Sequence, residues 1–147
     1  MGKRTPVSPE AAVKYDADVA LAEQFDDLFA QAQSAEHVLR DAQASGASLE
    51  EQHRAGKRLD AALTDVMRAA FAAQRAEIGA RGYDDRIYRR KAMATTPVRA
   101  WTMEAERLLT LRESHRLTGI VRLPRQPARL PETSADPAGT LRQTVTG

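Results

Sequence analysis

Residues 39 to 56, LRDAQASGASLEEQHRAG, separate two long stretches of helical periodicity. Ser45-Gly46 closes the first. Ser48-Leu49-Glu50-Glu51 opens the second with the S-x-x-E form of a capping box, in which hydroxyl and carboxylate satisfy orphan amides of a first turn. Upstream, apolar residues recur at Leu21, Phe25, Leu28, Ala32, Ala35, Leu39 and Ala42; downstream the series reads Leu49, Gln52, Gly56, Leu59, Leu63, Val66, Ala70 and Ala73. Both alternate spacings of four and three, the coiled-coil-type seam of helices packed lengthwise. Two long helices joined by about four residues are expected to lie antiparallel.

Outward from this hairpin, Ser8-Pro9-Glu10 reads as an N-cap, a proline in the first turn and an acid placed where the helix dipole favours it. The first helix is expected to run unbroken from there to Ser45, and the second to stop at Gly79 or Gly82. Arms of roughly 45 to 55 Å follow from the helical rise, so the hairpin is expected to be a rod. Phe29, Val38, Met67, Phe71 and Ile78 lie beside the seam, available to a third helix or another subunit. That third helix starts at Thr96-Pro97, shows an inner face of Val98, Trp101, Ala105 and Leu108, and ends at Gly119. Between them GYDDRIYRRKAMATT, residues 82 to 96, is read as a short helix.

Beyond Gly119 the prolines at 124, 127, 131 and 137 exclude helix, and the polar composition after Pro131 supplies no core. The expected organisation is all-α: a tail over 1–8, an antiparallel hairpin over 9–81, a basic linker and third helix over 82–118, and an extended arm over 119–147.

Composition agrees with helix. Alanine is the commonest residue, and Phe 3, Tyr 3 and Trp 1 are the whole aromatic complement of the 147 residues. There is no cysteine, so neither disulfides nor thiolate chemistry are available. The longest apolar run is AAFAA at 69 to 73 and the first ten residues have no apolar segment, so neither a membrane span nor a secretory leader is expected. Arginine exceeds lysine by 18 to 4, a bias that a GC-rich bacterial or phage genome produces, and the expected location is the cytoplasm of a bacterial host or a virion. The net charge of +2 hides a dipole: residues 1 to 50 carry nine acids against four bases, and residues 51 to 100 carry six against eleven.

Catalytic chemistry finds little footing. Glu50 and His53 form one E-x-x-H pair, but a di-metal helical site needs two, and His37 and His115 lack the matching glutamate. Adjacent acids at Asp26-Asp27 and Asp84-Asp85 cannot converge from a helix, while Glu104 and Glu106 sit among arginines as surface pairs do. No nucleophile elbow, phosphate loop or zinc-protease string occurs. No catalytic residue, metal, cofactor or small-molecule substrate is expected, and the chain is read as a non-enzyme.

Binding is the stronger reading. Arg81, Arg86, Arg89, Arg90, Lys91 and Arg99, with Tyr83 and Tyr88 interleaved, form the densest basic patch. The arginine forks suit phosphate oxygens; the alternative is pairing with the acidic first helix of the same or an adjacent subunit. Trp101 is core or an interface anchor. In the arm, Pro124-Arg125-Gln126-Pro127-Ala128-Arg129 fits P-x-x-P-x-R, a polyproline ligand pattern. Trp101, Ile120, Val121, Leu123, Pro124 and Pro127 are the expected partner contacts.

The expected function is therefore that of a multi-copy structural or assembly protein, a homo-oligomer bound to neighbouring protein subunits through helix faces and the arm. By fold-level analogy a phage head-tail connector or minor capsid protein fits this description. The alternative is a nucleic-acid-binding accessory protein acting through residues 81 to 99.

Overall fold

The computed structural model describes residues 6–128, and among these every regular element is a helix. Its elements are α1 (Pro9–Ala22), α2 (Phe25–Ala44), α3 (Leu49–Ile78), a 3-10 turn at Ala80–Tyr83, α4 (Arg86–Ala92) and α5 (Thr96–Thr118). Residues 1–5 of the N-terminal tail and 129–147 of the expected arm, including the last position of the P-x-x-P-x-R pattern, lie outside the described residues.

Helix α3 is the axis of the molecule. Helices α1 and α2 pack along one side of it and α5 along another. Cross-links between α3 and α5 set their direction: Gln74 to Thr102, Thr64 to Arg112, Asp60 to Arg116 and Gly56 to His115 follow one another down the pair, so the two run antiparallel. Helices α2 and α5 run the same way, with Phe25 against Trp101 at one end and Gln43 against Gly119 at the other.

The starts of the helices follow from their caps. Ser8 accepts a hydrogen bond from the Ala11 amide at 3.1 Å, and Ser48 accepts one from the Glu51 amide at 3.1 Å. Asp85 does the same for Tyr88 at 2.9 Å. Helix α5 carries Pro97 in its first turn and is stopped by Gly119, whose φ of 71° lies in the left-handed region.

The first arm is two helices and not one. At Gln24 the amide bonds back to Leu21 at 3.0 Å, an i→i+3 contact in place of the α-helical one, and the chain resets before Phe25. No glycine or proline marks the spot; the break lets α1 follow the C-terminal half of α3 while α2 follows its N-terminal half. By the helical rise α1, α2 and α3 measure about 21, 30 and 45 Å, and the expected rod becomes a bundle.

The core holds Phe25, Phe29, Leu39, Leu59, Leu63, Val66 and Leu108, closed by alanines at 32, 55, 69, 70 and 105. Leu21, Leu28 and Trp101 pack against it half-buried. Phe29 therefore belongs to the core. Leu49 leaves the expected seam: it is the first helical residue after the Ser48 cap, its side chain lies past the end of the bundle, and it is 84% exposed. Glu104 is likewise no surface acid. It is fully buried, with Arg107 on its carboxylate at 2.6 Å.

Candidate interaction surface at the basic end of the bundle

The densest basic patch of the sequence is gathered at the end of the molecule where α3 stops. A platform of hydrogen bonds holds it there. Ser8 donates from both its backbone amide and its hydroxyl to the Asp84 carboxylate, each at 2.9 Å, tying the start of α1 to the segment after the 3-10 turn. Ten residues farther along α1, nearly three turns, Arg75 on α3 grips Asp18 with two bonds of 2.7 and 3.0 Å, and the Tyr83 hydroxyl donates to the same carboxylate. Burial pushes the Asp18 carboxyl up, but the Arg75 and Tyr83 hydrogen bonds and the Arg75 charge outweigh it and hold the group below its usual range. Burial, aided by the Asp18 bond, raises the Tyr83 phenol well above its ordinary value, so it remains a donor.

Helix α4 sits on this platform and buries none of its seven residues. Asp85 caps it. Its carboxyl is held low first by the Tyr88 amide, against a small desolvation cost, and then by Arg81 at 3.4 Å. Arg81 also stacks over the Tyr88 ring, 4.7 Å from its centroid, and Arg89 donates to the Gly82 carbonyl at 3.1 Å. Both acids of the Asp84-Asp85 pair are thus engaged internally. Arg86, Arg90, Lys91 and Arg99 have no ion pair among the described residues. The acid of α1 that pairs with an arginine is Asp18, and its partner Arg75 borders Arg86, Arg89 and Arg90 in one depression.

Arg81, Arg86 and Arg90 line an open depression of about 640 Å³ together with Pro6, Val7, Asp84, Asp85 and Ile87. Arg86, Arg89 and Arg90 line a second, of about 450 Å³, on the opposite flank of α4, with Met93 at its edge. Lys91 lies on α4 and Arg99 is exposed in the first turn of α5, outside both depressions. Greasy residues accompany the charges: Ile87 is 70% exposed, and Val7, Tyr88 and Met93 are exposed beside it.

The remaining expected contacts are placed elsewhere. Trp101 meets Phe25 edge-on, ring centroids 5.1 Å apart, and faces the core. Val121 and Leu123 also pack against the core, Pro124 and Pro127 are half-buried against the same bundle, and Ile120 is left outside, 71% exposed. Residues 119 to 128 do not reach away. They double back along α2 and α5, held by the Gln43 amide on the Gly119 carbonyl at 3.2 Å and the Gln33 amide on the carbonyls of Pro124 and Arg125 at 3.0 and 2.9 Å. The Ala128 amide ends the run on the buried Glu104 carboxylate. The physical reason is apolar: Val121 and Leu123 find a groove between two parallel helices, and burying them there exceeds what an exposed arm gains.

Sequence reasoning missed Asp18, Gln33, Gln43 and Glu104, because each acts on a group far away in the chain. Among the described residues no group of three or more His, Asp or Glu is placed to hold a metal ion, and no helix is long and apolar enough to cross a membrane. Glu50 bonds to Arg54 at 3.4 Å, one turn along. No family model matches this sequence, and neither a curated protein nor a solved structure matches it.

Proposed function

We propose that this chain is a non-enzymatic assembly protein that works in several copies, joined to neighbouring protein subunits through its helix faces, with α4 as the principal contact. One observation carries the reading: α4 has seven residues, none buried, yet it presents Ile87 and Tyr88 between the unpaired Arg86, Arg90 and Lys91. A helix that short is marginal in water by itself. Exposed apolar side chains framed by arginine and tyrosine have the composition of a protein interface core rather than of a solvated surface. An acidic subunit surface is the matching partner, and the surplus of acids in residues 1 to 50 gives this chain one of its own.

Light scattering on the full chain tests this. Masses above the single-chain 16.2 kDa, which fall toward that value in Ile87→Ser and in Arg86→Ala/Arg90→Ala, support the reading. A single-chain mass at every concentration, or multimers that the variants leave untouched, refutes it.

A second reading has its own observation. Arg86, Arg90, Lys91 and Arg99 are four cations without carboxylate partners among the described residues, the arrangement a phosphate backbone recognises. Binding to duplex or single-stranded nucleic acid that weakens steeply with salt and disappears in Arg86→Ala/Arg90→Ala would transfer the function to that class.

A further inference from the structure

The groove between α2 and α5 is built to receive an extended chain. Its polar groups address main-chain atoms: the Gln33 amide takes two consecutive carbonyls, the Gln43 amide takes one, and the Glu104 carboxylate takes an amide. Its apolar floor takes two side chains, Val121 and Leu123. The spacing fits an extended ligand, since the ten helical residues from Gln33 to Gln43 rise about 15 Å and the five or six residues from Gly119 to Pro124 or Arg125 span about 16 to 19 Å when extended. Glu104, whose carboxylate Arg107 holds within α5, adds to this by also accepting from the strap. A fully buried carboxylate is costly, and apolar packing would serve stability as well or better; here the group meets the end of the bound segment.

In this structure the ligand is the chain's own residues 119 to 128, folded back at Gly119. We propose that in the assembled protein the groove is filled by residues 119 to 128 of a second copy, so that straps are exchanged between subunits. The proposal rests on the multi-copy reading and adds the joint. Every strap contact described forms identically whether strap and groove belong to one chain or two, so exchange leaves them intact and concentration decides the balance. The hinge points the same way. Leu117, 85% exposed, and Ile120, 71% exposed, flank Gly119, and Leu49, 84% exposed, stands at the same end of the bundle. These three are the most exposed large apolar side chains of the described residues, and a closed strap leaves all of them in water. When two hinges pass one another in an exchanged pair, each covers the other's.

The absence of natural cysteine makes the test clean. Ser34 and Arg125 are exposed, line one depression beside the strap, and make none of the strap's hydrogen bonds through their side chains. Full-length Ser34→Cys and full-length Arg125→Cys are mixed, treated with a short bis-maleimide and weighed, with Asp65→Cys replacing Ser34→Cys as background and circular dichroism confirming that each variant folds. Exchange gives a covalent pair of twice the 16.2 kDa chain mass, well above the Asp65→Cys background, at concentrations where light scattering reports multimers. Multimers with no cross-link above background overturn strap exchange while leaving assembly through α4 in place. A single-chain mass at all concentrations, with cross-linking confined within one chain when Ser34→Cys and Arg125→Cys are combined, overturns both.

Discussion

Replacing Asp18 by Asn attacks the platform under α4 at its centre. The Asp18 side chain is 13% exposed, accepts two bonds from Arg75 and takes the Tyr83 hydroxyl as a third. Asn keeps the shape but loses the charge and one acceptor. Charge-assisted hydrogen bonds are worth about 1.5 to 3 kcal/mol, and Arg75 is 45% exposed, so water recovers part of its solvation and the lower half of that range applies. The expected loss is about 2 kcal/mol, or roughly 4 to 8 °C in melting temperature for a chain of this size. Tyr83→Phe removes one donor and should cost about 1 kcal/mol. A double-mutant cycle by urea denaturation at pH 7 isolates the pair: because both act on one carboxylate, the combined loss should fall short of the sum by about 1 kcal/mol. The pH dependence has a definite sign. A carboxyl whose folded value is lowered contributes stability above its unfolded value of 3.8, and that contribution fades as pH falls below 3.8 toward the folded value. Asp18→Asn should therefore flatten the acid limb of the stability curve relative to the wild type. Additive mutants within about 0.3 kcal/mol, or an acid limb that Asp18→Asn leaves unchanged, would refute this account of the platform.

Phe25→Ala removes the edge-on partner of Trp101 and a neighbour of Phe29, 5.9 Å away, and should cost about 3 to 5 kcal/mol in urea with a red-shifted tryptophan emission. Gly119→Ala meets no atom within 4 Å, so its cost of about 1 to 2 kcal/mol comes from the left-handed backbone alone, read by thermal melts. Arg86→Ala/Arg90→Ala removes exposed side chains with no ion pair among the described residues, and at protein concentrations where light scattering reports single chains the melting curve should match the wild type within about 0.5 kcal/mol, which separates a loss of binding from a loss of fold.

Local signals were legible and long-range ones were not. Ser8 and Ser48 announce their helices because a cap is chemistry between residues three apart, and Pro97 marks the first turn of α5 by its fixed backbone, with no side-chain cap before it. Phe25, Leu59, Leu63 and Val66 stand out by spacing, and all four are buried. The reset at Gln24 carries no glycine or proline and follows from the fit of two helices on one side of α3, which no local pattern encodes. Leu49 obeys the seven-residue rhythm but falls where the bundle has ended, a fact set by the partner helices rather than by its own neighbours. The basic patch was visible as composition; the engagement of Asp84 beside it depends on Ser8, 76 positions away. Residues 119 to 128 read as an arm because prolines exclude helix, and the same prolines suit an extended chain lying in a groove.

The platform beneath α4 also determines how the molecule would carry a mechanical load. Tension applied to α4 divides between two routes, one through Asp84 into the head of α1 and one through Tyr83 and Asp18 into Arg75 and the axis helix. Because α1 lies lengthwise against α3, a pull along the helix axes loads a row of contacts together instead of singly. An anchorage of that geometry resists detachment far better than a seven-residue helix tethered at its ends alone.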